Sequence, residues 1–273
     1  MNIIQGLILG IVQGFTEFLP ISSSAHLVLV PYLLNWQLDP SAAFVFDVLV
    51  QLGTLGAVIF FFRKDLAAIL GSMLRGLQQK QPFAEGNSRL GWLIILATIP
   101  AGLAGLLLKD AVEGAFSSPI ATGFMLLVTA LFLTVSERFS HKTRELDQAK
   151  PKDALVVGLF QAVSIFPGIS RSGSTMTGGL LSGFTREAAA RFSFLMSIPI
   201  MAAAGLLALL DLFALPGFAS FWPTLVIGFI AAALTGYFSI QWLLNYVRRK
   251  SLLPFAVYCA LLAAAVFIVT YAR

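Results

Sequence analysis

The sequence predicts an all-α, polytopic integral membrane protein with six transmembrane helices and two re-entrant helical hairpins in an inverted-topology repeat. Three observations lead there. Of 273 residues, 58% are hydrophobic and 11% charged, far below the ~25% charge of an average soluble domain, so most of the chain faces lipid. Two apolar stretches are broken by glycine, proline, serine and charge. Those two stretches repeat each other at a fixed offset.

The first broken stretch covers residues 1–34. Gln5, Gly6, Gly10, Gln13, Gly14, Glu17, Pro20, Ser22, Ser23, Ser24 and His26 interrupt it, so no continuous span of ~20 apolar residues fits, and two short helices around a polar turn are expected. Such a turn is tolerated at membrane depth only where protein or a watery cavity covers it. No Lys or Arg precedes Arg63, so the basic n-region of a cleavable signal is lacking and the stretch is read as part of the fold. Long spans follow at about 42–62, 90–108 and 119–135. A polar linker, 136–153, separates them from a second hairpin at 154–184 and further spans at about 188–210, 223–247 and 252–271. The organisation is a first repeat at 1–135, the linker, and a second repeat at 154–273.

Charge sets the expected orientation. Arg63, Lys64, Arg75, Lys80 and Arg89 follow the first span, Arg138, Lys142, Arg144, Lys150 and Lys152 fill the linker, and Arg248, Arg249 and Lys250 precede the last span. By the positive-inside rule these loops are cytoplasmic, which places the first hairpin outside and the second inside. The net charge of +5 is spread over short loops and forms no aromatic-interleaved patch, so no nucleic-acid partner is expected. Cys259 is the sole cysteine, which excludes an intrachain disulfide and reads as packing.

The repeat has a constant register. At an offset of 148, Gly10, Gln13, Phe18, Ile21, Ser22 and Ser24 meet Gly158, Gln161, Phe166, Ile169, Ser170 and Ser172, and Ala42, Phe44 and Phe46 meet Ala190, Phe192 and Phe194. Three spans, an odd number, separate corresponding points. The repeats are therefore inverted, and their polar tips can meet near the bilayer midplane.

Each tip carries chemistry. Pro167-Gly168-Ile169-Ser170-Arg171-Ser172-Gly173-Ser174-Thr175 crowds hydroxyls and backbone N–H groups around an arginine, an anion cradle inside lipid. A charge there costs at least ~2.5–3.5 kcal/mol unless it faces a polar cavity or partner. In the first tip Gln13 and Glu17 share a helix face, so their oxygens can hold a hard divalent cation, Mg²⁺ or Ca²⁺, whose shell water and substrate phosphate would complete. Pairing of Glu17 with Arg171 is the structural alternative. His26, three residues after Ser23, is a candidate base or nucleophile toward phosphorus. Asp47 and Gln51 place a further acid and amide within the first span.

Gln13-x-x-x-Glu17 with Phe18-Leu19-Pro20-Ile21-Ser22-Ser23 and His26, together with Pro167-Gly168-x-Ser170-Arg171-Ser172-x-x-Thr175, resembles the bacterial undecaprenyl-diphosphate phosphatase family of the bacitracin-resistance type, over nearly the whole chain. The resemblance implies hydrolysis of undecaprenyl diphosphate to the monophosphate, recycling the lipid carrier of cell-wall synthesis in the bacterial plasma membrane, at a site open to the outer face. It places Glu17, Ser23, His26, Ser170, Arg171 and Thr175 at functional positions. With the residue chemistry above, the expected catalytic residues are Glu17, Ser23, His26 and Arg171, the expected substrate contacts Ser22, Ser170, Arg171, Ser172 and Thr175, and the expected metal holders Gln13 and Glu17. The mechanism expected is metal-assisted phosphoryl transfer in which His26 activates Ser23 or water. A phosphoserine at Ser23, a phosphohistidine at His26 and direct attack by water all remain open. Partners expected are the polyprenyl diphosphate, the bilayer and a second copy in a homodimer. A secondary transporter or flippase for a lipid phosphate, with Glu17, Asp47 and His26 as a proton relay, is the rival reading of the same architecture.

Overall fold

A computed structural model describes residues 1–108, 112, 118–212 and 218–272. Eleven α-helices stand among the described residues: α1 (Ile3–Phe18), α2 (Ser23–Leu33), α3 (Pro40–Phe61), α4 (Arg63–Gln78), α5 (Gly86–Leu107), α6 (Pro119–Phe139), α7 (Pro151–Val163), α8 (Arg171–Leu181), α9 (Arg186–Leu212), α10 (Phe218–Val247) and α11 (Leu253–Ala272). Five of them, α5, α6, α9, α10 and α11, contain stretches long and apolar enough to cross a bilayer, and Val45–Phe61 with Arg63–Gln78 makes a sixth, bent by 75°. The protein is thus an all-α, multi-pass membrane protein with five to six apolar spans.

Both expected hairpins are helix pairs, and local signals set their ends. Asn2 and Gln5 cap α1 reciprocally at 2.9 Å each, and Pro20 follows its last turn. Ser22 and Ser170 are the N-caps of α2 and α8, accepting from Ala25 N at 3.3 Å and Gly173 N at 3.0 Å. These two helices occupy the same positions in the 148-residue register, Ser23–Leu33 against Arg171–Leu181. The second hairpin begins at Pro151 rather than at 154, because proline takes the first helical position and Asp153 caps the N–H of Lys150 at 2.9 Å. The basic segment after the first span, read as a loop, is largely the helix α4. Its Ile69, Ser72 and Gly76 form a buried side, and a Cβ on Gly91 of α5 would lie within 2.2–2.9 Å of Met73 and Ile69.

Each hairpin's first helix packs on a long helix of the other half, and the two contacts correspond. Gly6, Gly10 and Gly14 of α1 lie against Thr224, Gly228 and the Ala232–Gly236 turn of α10, and a Cβ on Gly10 would stand 2.3 Å from the carbonyl oxygen of Gly228. At the repeat-equivalent place, a Cβ on Gly158 of α7 would stand 2.6 Å from the carbonyl oxygen of Ala97 on α5. In lipid, where the surroundings are as apolar as leucine, close approach of small residues is what holds helices together. Helices α3 and α9 pack against each other, as do α6 and α11. Phe18, Phe62 and Phe194 join the halves in the core, with Phe18 edge-on to Phe194 at 5.2 Å.

The three basic loops converge on one face. Arg89 donates to the carbonyl of Asp147, Arg191 pairs with Asp65 at 2.9 Å, and Arg248 with Glu187 at 2.7 Å. Buried Glu137 receives both arms of Arg186 at 2.7 Å, Lys142 at 3.2 Å and the N–H of Leu252 at 2.8 Å. The linker is fastened to the second hairpin by Arg144, which binds Asp153 at 2.6 Å and the carbonyl of Ser182 at 2.6 Å. That hydrogen bond to Asp153 raises the guanidinium above its ordinary value.

Replacing Gly10 or Gly158 by Ala is expected to lower stability by about 1–3 kcal/mol, since the new methyl meets backbone that has nowhere to go. Gly102→Ala, where an added Cβ meets nothing within 4 Å, is the control expected to be neutral or better. Thermal unfolding in detergent compares the three.

Candidate functional site

The two polar breaks meet at one buried carboxylate. Glu17 ends α1, 5% exposed, and accepts three hydrogen bonds. Arg171 Nη2 reaches Oε1 at 2.6 Å, while Gln13 Nε2 and Ser23 Oγ reach Oε2 at 2.7 and 2.5 Å. Ser23 and Arg171 are the first residues of α2 and α8 and stand 148 apart. Equivalent positions of the two hairpins therefore grip opposite oxygens of the same acid. A second tie crosses the tips, from Ser172 Oγ to the carbonyl of Leu19 at 2.9 Å.

The hairpin turns share a local design. Ser22 and Ser24 hydroxyls lie 3.2 Å apart, and so do those of Ser170 and Ser172. Ser23, Ser24 and Arg171, in the first turns of α2 and α8, line a cavity between the tips, and a helix N-terminus suits anionic oxygens. The turns differ in strain. Ser22 has φ +68°, a left-handed conformation costly for a residue with a Cβ, whereas Ser170 is an ordinary cap at φ −65°. In the second turn the positive φ is carried by Gly168, at +101°, whose missing side chain lets the loop lie on Thr122 and Met125 of α6. Thr129 of α6 fixes that loop, donating to the carbonyl of Gly168 and accepting from the N–H of Ser170, each at 2.9 Å.

A cavity of about 270 Å³ opens between the tips. Glu17, Ser22, Ser23, Ser24, Ser170 and Arg171 make its polar wall, Gln51, Gln161 and Ser164 add uncharged polar groups, and Ala101, Gly105, Ile165, Ile200, Met201 and Ala204 make an apolar wall. Its lining therefore suits a ligand with an anionic head and a hydrocarbon body.

Other expected site residues fall outside this lining. His26 is buried, with Nδ1 2.7 Å from the carbonyl of Ser22 and Nε2 2.7 Å from Tyr258 Oη. A carbonyl only accepts, so Nδ1 carries hydrogen and the neutral ring takes the tyrosine proton at Nε2. The ring thus braces the strained Ser22 turn, and among the described contacts the partner of Ser23 is Glu17, where His26 is expected from the sequence. Thr175, one turn into α8, binds the carbonyl of Arg171 at 2.8 Å and Ser193 at 2.6 Å, and with Ser172 it sits behind the lining. Gln13 lies behind Glu17, fully buried, its Oε1 without a hydrogen-bond partner. No group of three or more His, Cys, Asp and Glu converges among the described residues. Asp47 is also outside the lining, while Gln51, one turn on, is in it. Sequence reasoning does not single out Tyr258 or Thr129, since their partners are 232 and 41 residues away.

Comparison with known proteins gives one answer. The family model described as bacitracin resistance protein BacA matches residues 6–265. An undecaprenyl-diphosphatase of Kineococcus radiotolerans is 44% identical over 267 residues, covering 98% of this chain and 93% of its own. Those of Thermomicrobium roseum and Moorella thermoacetica are each 43% identical, with both chains covered in full.

Removing one partner of a buried ion pair strands the other, at about 3–5 kcal/mol, with the cavity's access to water favouring the lower end. Glu17→Ala is expected to lose stability on that scale. Combining it with Arg171→Met is expected to recover most of the loss. A double-mutant cycle on thermal unfolding tests the pair, and additive losses would remove it.

Proposed function

This chain belongs to the bacitracin resistance protein BacA family, and on that premise we propose that its meeting hairpins hydrolyse undecaprenyl diphosphate to undecaprenyl phosphate and inorganic phosphate. It is an integral-membrane hydrolase of a phosphoanhydride, and its product is the lipid carrier made available again for cell-wall synthesis. The observation that carries the mechanism is Glu17 shared between Ser23, at 2.5 Å, and Arg171, at 2.6 Å, on the wall of a cavity that is polar on one side and apolar on the other.

In this reading the diphosphate enters with its terminal phosphate against Ser23, Arg171 and the two helix N-termini. Glu17 takes the Ser23 proton as Oγ attacks the terminal phosphorus. The anhydride bond breaks toward the lipid-linked phosphate, which leaves and takes up that proton. Arg171 loosens from Glu17 to hold charge developing on the transferred group, helped by the cap Ser170. Water then attacks the phosphoserine phosphorus and yields a proton to Glu17, which passes it to Ser23 Oγ as the Oγ–P bond breaks, so that inorganic phosphate departs and both side chains are restored. His26, tied to Ser22 and Tyr258, is a positioning residue that keeps the strained turn in place. Trapping a phosphoenzyme should therefore label Ser23, and label on His26 would overturn this assignment.

Gln13 and Glu17 remain the proposed holders of a divalent cation. As described, Gln13 turns Nε2 toward Glu17 and leaves its oxygen orphaned. A half-turn of the amide would set two oxygens side by side, an arrangement that favours a cation. A bound Mg²⁺ or Ca²⁺ would supply charge neutralisation on the diphosphate.

The finer architecture is part of the proposal. The exchange of contacts between α1·α10 and α7·α5, and the shared 148-residue register of α2 and α8, support an inverted repeat with re-entrant hairpins. The basic loops gathered on one face support a cytoplasmic placement for that face and an outward opening for the site. A homodimer is retained as an expectation.

Two experiments test this reading. Purified protein should release phosphate from undecaprenyl diphosphate in detergent with no gradient, an outcome a pure carrier would not give. Arg171→Lys should lose roughly 10²-fold in kcat/KM, because an ammonium lacks the planar fork. Separately, Glu17→Gln should raise the half-saturating Mg²⁺ concentration while Gln13→Glu keeps or lowers it. Unchanged midpoints with activity merely scaled down would show that the cation is held elsewhere.

A further inference from the structure

Gln161 is the repeat partner of Gln13, but its surroundings differ in one decisive respect. Four residues on from Gln13 stands Glu17, which captures the carboxamide at 2.7 Å. Four residues on from Gln161 stands Ile165, so no acid competes for it. Gln161 is 2% exposed and lines the cavity. Its Oε1 has no hydrogen-bond partner, and its Nε2 has one long contact, 3.4 Å to the carbonyl of Ala97. A buried amide left this far unsatisfied costs stability, and a polar group that enters the cavity can complete its bonding.

Its position says which part of the ligand that is. Ala97 precedes by one turn of α5 the Ala101 of the apolar wall, and Ser164 and Ile165 follow Gln161 on the same hairpin. Gln161 thus lies among apolar lining residues, with Ile165 on its own hairpin and Ala101 one turn beyond its Ala97 contact, and among the described contacts has no hydrogen bond to Glu17, Ser23 or Arg171. Resting on the function proposed above, we infer that Gln161 is a substrate-contacting residue that binds the lipid-linked phosphate, the one that leaves. Its Nε2–H donates to an unbridged oxygen of that phosphate, and its Oε1 accepts from the hydroxyl of the protonated monophosphate product. Ser164, whose hydroxyl is returned to the carbonyl of Gln161 at 2.7 Å, holds the end of α7 beneath it.

The test uses the full chain in detergent, with Gln161→Met to remove the polar atoms at similar volume and Gln161→Glu to keep shape while losing the donor. Inhibition is measured with two probes, farnesyl monophosphate and inorganic phosphate. For Gln161→Met the thermal midpoint should equal or exceed that of wild type, because an orphaned polar atom has gone, while kcat/KM falls roughly ten- to hundredfold. The inhibition constant of farnesyl monophosphate should rise about tenfold in both variants, and that of inorganic phosphate should change less than twofold. Equal shifts for both probes would overturn the assignment to the lipid-linked phosphate, and no shift for either would overturn contact altogether. If Gln161→Met does not fold, Gln161→Glu decides by the same two constants. A wild type that binds farnesyl monophosphate through Gln161 yet releases no phosphate would instead sink the hydrolase reading and leave this contact standing.

Discussion

One carboxylate in a lipid-embedded fold constrains everything around it. Glu17 is nearly inaccessible, and a charge so placed persists only with partners. It has three, and they come from three places in the chain: its own helix through Gln13, the start of α2 through Ser23, and the start of α8 through Arg171. Satisfying that one acid requires both hairpins to stop near the same depth and face each other. The helix breaks at Pro20 and at Pro167-Gly168, the serine caps and the glycine contacts with α10 and α5 all serve that meeting.

The two hairpin turns share a frame and differ in the side chains set on it. The caps Ser22 and Ser170 and the paired serines beyond them are the same in both turns. Where the two turns differ, the differences fall on or beside the shared carboxylate: serine against arginine at 23 and 171, acid against isoleucine at 17 and 165, strained serine against glycine in the turn. A hydroxyl and a guanidinium 148 residues apart share one carboxylate, which neither half could arrange with itself.

Much of this was legible because lipid narrows the choices. Hydropathy and length locate the spans within a few residues, and Gly, Pro and Ser mark where helices must break. The 148-residue register brings Gln161 forward as well as Gln13. Helix α4 is harder to read, since its charges look like a loop until Ile69, Ser72 and Gly76 are seen to share one side. Gly6, Gly10 and Gly14 read as interruptions, but their spacing of four is a contact surface for α10. The contacts of His26 and Thr175 were not legible. Residue types and motif positions say that they are near the turns, but their partners, Tyr258 and Ser193, lie on other helices, and only packing decides which hydroxyl meets which base.

The seating of α1 on α10 bears on how the protein is made. Helix α1 leaves the ribosome well before the groove that receives Gly6, Gly10 and Gly14, which is synthesised some two hundred residues later. The hairpin's helices, Ile3–Phe18 and Ser23–Leu33, are shorter than the spans, and α1 has its glycine contacts only once α10 exists. Assembly of Glu17, Ser23 and Arg171, which joins residues 154 apart in the chain, is therefore a long-range event that waits on the second half.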